Sequence, residues 1–192
     1  LTLLQIDETI EIAIIEMGAS KVGDIAELCG IADPTHGLIT NIGKAHLEGF
    51  GGVGGVVRGK SELYYHLILR DGVIFVNSQS EVLSNIAKRR IKSPFYYPAK
   101  GDYLHAELLE SQPSLKLRTE EGSEVTTHLT GAYNFENICA ALCVGKYFEV
   151  DADLALDAVA SYNPDNNRSQ VLESGTNTIL LDAYNANPSS MS

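Results

Sequence analysis

The stretch NIGKAHLEGFGGVGGVVRGKSE, residues 41–62, is compatible with two different folds. Residues 54–61, GGVVRGKS, match the phosphate-loop pattern GxxxxGK[ST], in which Lys60 would bind phosphate and Ser61 a magnesium ion. In the alternative, the glycines precede and enter a helix, and His46 and Lys60 belong to a metal site. The first interpretation predicts a small NTPase, and the second predicts part of a larger enzyme.

The local pattern favours the helix. A phosphate loop begins directly after a strand, so that its amides surround the phosphates. Here the preceding predicted strand, 37–42, ends too early. Val56 and Val57 are also poorly suited to the positive φ angles of such a loop. Val53, Val56, Val57 and Lys60 instead follow steps of three and four, which predicts the first turns of a helix.

Strands and helices alternate in the first half of the chain. A β-branched run ending at a glycine predicts a buried parallel strand at Glu11–Met17. The further predicted elements are a helix at Val22–Ile31, a strand at Gly37–Ile42, a helix at Ser61–Leu69, a strand at Val73–Val76 and a helix at Glu81–Arg90. This order predicts an α/β fold, with a mostly parallel sheet flanked by helices.

The pattern changes after Ser93. Turn-rich segments separate three predicted strands of a small antiparallel sheet, Tyr96–Leu109, Leu115–Thr119 and Glu124–Leu129. Helices are predicted at Asn134–Phe148 and, after a cap at Asp151 or Asp153, at Leu154–Val159. Two last segments, Gln170–Glu173 and Thr178–Asp182, predict either a hairpin or the first strand of another domain.

Composition limits the classes of function. The 192 residues are 44% hydrophobic and carry a net charge of −11, so the average surface repels a phosphate polyanion and we expect no nucleic-acid partner. The three cysteines are expected to be reduced core thiols of a cytoplasmic protein. No apolar run is long enough to span a bilayer, so no membrane partner is expected.

Three residues are candidate metal ligands. Glu16 ends a predicted strand, His46 follows the next one, and ligands of open α/β sheets bind at the carboxyl ends of strands. Lys60 opens the following helix. Magnesium accepts a carboxylate but is repelled by a protonated lysine, so Lys60 fits only if its charge is removed, for example by carbamylation. Taken singly, each residue is more simply a solvated Glu, a loop His or a surface Lys.

Five ordered segments resemble the Mur ligases of peptidoglycan synthesis. They are Ile15–Ala19 (IEMGA), Thr40–Gly51 (TNIGKAHLEGFG), Lys60–Leu63 (KSEL), Gly131–Asn137 (GAYNFEN) and Asp182–Met191 (DAYNANPSSM). Folylpolyglutamate synthases share the general plan. The last segment favours the Mur branch that joins D-alanyl-D-alanine to UDP-N-acetylmuramoyl-tripeptide.

The resemblance implies an ATP-dependent amide-bond ligase that works through an acyl phosphate and magnesium. It implies Glu16, His46 and carbamylated Lys60 as magnesium ligands, with His46, Lys60 and Arg168 as the catalytic set. Nucleotide contacts are implied for Asn137 with the adenine, Arg168 with the phosphates and Asp182 with the ribose, and Asn185 joins them as a further cofactor-binding residue. Asn41, Tyr184 and Asn187 are second-rank candidates, for which turn and cap hydrogen bonds are an equal explanation.

The chain departs from the family pattern at two positions. Tyr133 stands where histidine is frequent, and Asn167 where glycine is common before Arg168. The family's phosphate loop would lie upstream of Glu16, so we expect residues 1–166 to be a partial central ATP-binding domain and 167–192 the start of a C-terminal ligase domain. We therefore expect the 192 residues alone to have no ligase activity. A small NTPase and a non-catalytic binding module are the alternatives.

Overall fold

A computed structural model of the chain describes residues 2–43, 46–164 and 170–181. Its contacts divide into two compact units, Leu1–Ile74 and Phe75–Ser192, and the boundary falls inside a strand. Arg168, Asp182, Tyr184, Asn185 and Asn187 lie outside the described residues.

The first unit is organised around one long helix. After a single 3-10 turn, its elements are α1 (Asp24–Ala32), β1 (His36–Leu38), α2 (Leu47–Phe50) and α3 (Val53–Leu69). α3 contacts α1, α2 and β1. Its buried residues Val56, Tyr64 and Leu67 form the core of the unit together with Ile25 and Cys29 of α1.

Strand β2 (Val73–Asn77) contains the boundary between the two units in the sequence. Within the second unit, β3 (Phe95–Tyr97) runs parallel to β2, with Phe75 opposite Phe95. α4 (Glu81–Arg90) lies between these strands in the chain and begins at Ser80, whose side chain accepts a hydrogen bond from the Leu83 amide. The ring of Tyr147, at the end of α5 (Tyr133–Tyr147), packs edge-on against Phe75 and Phe95 at 5.3 and 4.9 Å.

A small antiparallel sheet follows in the same unit. Strands β4 (Ala106–Glu110), β5 (Lys116–Thr119) and β6 (Glu124–Thr126) pair in that order. α6 (Ala152–Ser161) begins at Asp151, whose carboxylate accepts hydrogen bonds from the amides of Asp153 and Leu154. Strands β7 (Gln170–Ser174) and β8 (Asn177–Leu181) form an antiparallel hairpin, which is one of the two predicted arrangements.

The predicted fold class is confirmed, but several elements differ from their predictions. No strand forms at Glu11–Met17, which is irregular and largely exposed. Hydrophobic patterning alone does not make a strand, because the backbone amides and carbonyls also need a paired neighbour. The predicted strand Gly37–Ile42 is reduced to β1, and the single predicted strand Tyr96–Leu109 is two strands, of which β3 belongs to the parallel sheet.

Candidate functional site

Residues 54–61 lie inside α3 rather than in a loop. The amides of Gly55 and Val56 donate to the Gly52 carbonyl, so they are not free to surround a phosphate. A side chain at Gly55 would overlap the carbonyl oxygen of Phe50, and a Cβ at Gly59 would come within 2.5 Å of the Phe50 ring. These two glycines therefore allow α2 to lie close against α3. The phosphate-loop interpretation of this stretch is wrong.

Lys60 is half-buried on α3. Its Nζ donates a hydrogen bond to the backbone carbonyl oxygen of Asn41 at 2.8 Å. Lys60 and Asn41, both candidate site residues from the sequence, are therefore in contact. Burial lowers the pKa of the Lys60 amine, since desolvation disfavours the charged form. A larger share of neutral amine results, and the neutral amine is the form that reacts with carbon dioxide to give a carbamate.

His46 immediately precedes α2. Its backbone has a left-handed conformation, with φ at 57°, and its carbonyl accepts from the Phe50 amide at 3.1 Å. Gly51, with φ at 68°, ends the same short helix. This conformation is uncommon for a residue other than glycine, and such residues often occur at functional sites. The imidazole is exposed and thus accessible to a ligand.

Glu16 lies on the irregular segment before α1, and its side chain is exposed. Within the described residues, no hydrogen bond or ion pair occupies its carboxylate. The segment that follows is held by Asp24, whose Oδ2 accepts from the amides of Ser20 and Lys21 at 2.8 and 3.0 Å. These two hydrogen bonds lower the pKa of Asp24. Among the residues that the structure describes, the Glu16 carboxylate therefore has no partner, and its segment is anchored a few residues later.

The three candidate ligands all belong to the first unit. In the part of the chain that the structure describes, no group of three His, Cys, Asp or Glu side chains could hold a metal ion. A site built on Glu16 and His46 thus needs a ligand of another kind, and a carbamylated Lys60 would supply it. A carbamate keeps one N–H, which can still donate to Asn41, and adds two anionic oxygens. Carboxylate and carbamate oxygens are donors of the kind that magnesium accepts.

Asn137 lies in the second turn of α5 and is exposed. Its Nδ2 donates to Asn134 Oδ1 at 3.3 Å, and the buried Asn134 in turn donates to the Thr130 carbonyl at 2.8 Å. Gly131, with φ at 89°, turns the chain into this helix, where a side chain would contact the ring of Tyr133. The GAYNFEN segment thus builds a helix start and presents an oriented amide to solvent.

Sequence reasoning missed Glu62. Its carboxylate accepts hydrogen bonds from the Gly23 and Ala26 amides at the beginning of α1, at 2.7 and 2.9 Å. One signal was available, because Gly23 has no side chain to cap α1 and another residue had to do so. The sequence contains no sign of which residue that would be.

The model of the Mur ligase middle domain matches residues 1–145. The chain belongs to the Mur ligase family. Among curated relatives, the UDP-N-acetylmuramoyl-tripeptide–D-alanyl-D-alanine ligase of Bacillus subtilis is 30% identical over 194 residues, covering 100% of this chain and 42% of the relative. The ligase of that name from Haemophilus influenzae is 32% identical over 201 residues, with the same two coverages. This Mur ligase chain therefore spans about two fifths of the length of these relatives.

Solved structures give the same family. MurF from Acinetobacter baumannii superposes with a TM-score of 0.83 at 30% identity, covering 98% of this chain and 42% of that one. The MurF ligase of Thermotoga maritima, determined in complex with ADP, has a TM-score of 0.75 at 26% identity, covering 91% and 41%. None of the helices described in this Mur ligase chain is long and apolar enough to cross a membrane.

Proposed function

We propose that the protein is the ATP-dependent ligase that joins D-alanyl-D-alanine to UDP-N-acetylmuramoyl-tripeptide in the bacterial cytoplasm. One observation carries the proposal. The chain is similar along 100% of its own length to a relative named as this ligase, at 30% identity. In this reaction ATP phosphorylates the terminal carboxylate of the tripeptide. The amine of the dipeptide then attacks the acyl phosphate, and phosphate leaves.

Glu16, His46 and carbamylated Lys60 would hold magnesium. When bound, the metal offsets the negative charge of the phosphoryl group and of the leaving phosphate. The exposure of Glu16 and His46 and the lowered pKa of Lys60 support these roles. The hydrogen bond from Lys60 to Asn41 fixes the Nζ atom, so the added carboxylate would point in a defined direction.

Nucleotide binding is proposed for the residues of the later motifs. Asn137 would bind the adenine. Its exposed side-chain amide is oriented by the hydrogen bond to Asn134, and an amide can both donate to and accept from the polar edge of an adenine ring. Arg168 would bind the phosphates, Asp182 the ribose, and Asn185 would complete the cofactor-binding set. A planar guanidinium matches phosphate oxygens in pairs, and a carboxylate accepts from ribose hydroxyls.

The test is an assay of the complete gene product with ATP, magnesium, the UDP-linked tripeptide and D-alanyl-D-alanine. We expect ADP, phosphate and the UDP-linked pentapeptide in equal amounts. Lys60→Arg keeps a positive charge but cannot form the same carbamate, and should lower kcat by on the order of 10²-fold. Lys88→Arg, at an exposed position of α4, is the matched control and should leave kcat unchanged.

Intact-mass measurement adds a readout that does not depend on turnover. Wild-type protein in bicarbonate should gain the mass of one carbon dioxide at Lys60, and Lys60→Arg should not. ATP hydrolysis without peptide product, or formation of a different amide, would disprove the assignment. Wild-type kcat in the Lys60→Arg variant would disprove the role of this lysine.

A further inference from the structure

The beginning of α1 is capped by a residue from another helix. Gly23 occupies the N-cap position with φ at 101° and has no side chain to accept a hydrogen bond. The Glu62 carboxylate of α3 takes this role: Oε1 accepts from the Gly23 amide at 2.7 Å and Oε2 from the Ala26 amide at 2.9 Å. These are the N-cap and N3 amides, which a capping box satisfies with two local side chains. Here one distant carboxylate satisfies both.

Glu62 follows Lys60 by two positions on α3. Residues two apart on a helix point to nearly opposite sides, since each step turns the chain by about 100°. Lys60 accordingly reaches the Asn41 carbonyl on one side, while Glu62 reaches α1 on the other. One turn of α3 therefore contacts both α1, through Glu62, and the segment after β1 that contains Asn41, through Lys60.

The segment that carries Glu16 is attached to the same end of α1. Asp24, the first residue of this helix, accepts hydrogen bonds from the amides of Ser20 and Lys21 and from the Ser20 hydroxyl, at 2.8, 3.0 and 3.1 Å. Gly49 lies so close to the Ser20 carbonyl that any side chain there would overlap it. Contacts thus run from the Glu16 segment through Asp24 to α1, and through Glu62 to α3.

We propose that Glu62 is a positioning residue for the metal site, and that its carboxylate sets the Glu16 segment against the helix that carries Lys60. The inference rests on the metal site of the proposed function, because it needs Glu16 and Lys60 to share a metal. Glu62 itself is not a ligand in this proposal. Both of its oxygens are already used by amides of α1.

Manganese binding by the complete protein, without nucleotide, tests the role directly. Free Mn²⁺ is measured from its electron paramagnetic resonance signal in wild type and in Glu62→Gln. The glutamine keeps the shape but presents an NH₂ group to one of two N–H donors. We expect Mn²⁺ affinity to fall by about 10–100-fold, as is typical when the partner that orients a metal ligand is lost.

Two variants separate positioning from general damage. Glu27→Gln makes the same charge change at an exposed position of α1 and should bind Mn²⁺ like wild type. Glu62→Asp keeps the charge on a shorter side chain and should recover part of the affinity. If Glu62→Gln lowers the unfolding midpoint but folded protein binds Mn²⁺ as wild type does, the carboxylate has only a structural role and the proposal is wrong.

The two proposals can fail separately. If wild type makes no peptide product but Glu62→Gln loses Mn²⁺ affinity, the ligase assignment fails and the positioning role stands. If wild type is an active ligase and Glu62→Gln binds Mn²⁺ normally, only the positioning role fails. Wild type that binds no Mn²⁺ would overturn the positioning role outright.

Discussion

Glu124 lies between two cations of the antiparallel sheet. Lys116 Nζ and Arg118 Nη2 each lie 2.7 Å from its carboxylate. The hydrogen bonds from Lys116 and Arg118 lower the pKa of Glu124 from 4.5 to about 2. A carboxyl group with a lowered pKa stabilises the folded state above its unfolded pKa, and this stabilisation is lost as the pH falls through the folded pKa.

We therefore expect Glu124→Gln to be less stable than wild type at pH 7, and the difference to shrink between about pH 5 and pH 2. Urea unfolding at a series of pH values measures it. Glu121→Gln, in the exposed turn before β6, is the matched control and should show a much smaller difference at every pH. A constant difference for Glu124→Gln across the range would contradict the ion-pair explanation.

Lys60 shows how much a residue's surroundings change its chemistry. In the phosphate-loop interpretation it is a cation that binds phosphate. In the structure it is half-buried, donates to a backbone carbonyl and has a lowered pKa. Those surroundings favour the uncharged amine, from which an anionic group can form. The residue type was evident in the sequence, but the downward shift of its pKa comes from burial, which only the folded chain shows.

At the scale of elements, α2 and α3 lie close together because of two glycines. Gly55→Ala should destabilise the protein by about 1–3 kcal/mol, since the methyl group would overlap the Phe50 carbonyl. Gly54→Ala is the control on the same turn, with only the Arg58 guanidinium near its added Cβ, at 3.6 Å. Better helix propensity should make it neutral or up to about 1 kcal/mol stabilising. Chemical denaturation measures both, and equal effects would contradict the packing argument.

Elements with local start and stop signals were predictable from sequence. α4 has its predicted bounds, Glu81–Arg90, because Ser80 caps it. α6 is longer than the predicted Leu154–Val159, and its cap is Asp151, one of the two predicted cap residues. β3 was not separated from β4, since three residues contain too little periodicity to distinguish a short parallel strand from an antiparallel one. Elements that depend on distant partners were the ones mispredicted.

For the candidate site, too, the sequence indicated some residues and not others. Glu16, His46 and Lys60 were selected from sequence because strand ends and helix starts concentrate ligands, although the strand that Glu16 was predicted to end does not form. Glu62 was missed because its partners lie 36 and 39 residues away. No local pattern encodes such a contact. Candidate ligands can be selected from sequence spacing, whereas long-range contacts such as those of Glu62 require the folded chain.

At the scale of the whole molecule, the N-terminal segment exposes a row of isoleucines. Ile10, Ile12 and Ile14 alternate along the chain and are 46, 55 and 86% exposed. Adjacent exposed apolar groups on unpaired backbone favour association with another surface. We expect the 192-residue chain to bind an apolar dye and to self-associate at high concentration.

Ile12→Lys should reduce both properties, measured by dye fluorescence and by sedimentation. Ile31→Lys is the control, since Ile31 is also exposed, at 62%, but lies on α1 away from this row in the sequence. It should change little. If the two substitutions had equal effects, the row of isoleucines would not be the associating surface.

The capping of α1 by Glu62 has an electrostatic consequence for the first unit. The N-terminus of a helix is a common binding site for an anion, because its free amides and the positive end of the helix dipole both attract negative charge. At α1 this position is already occupied by the carboxylate of Glu62. A phosphoryl group would have to displace Glu62 to bind there, so the beginning of α1 is closed to anionic ligands as long as this cap is in place.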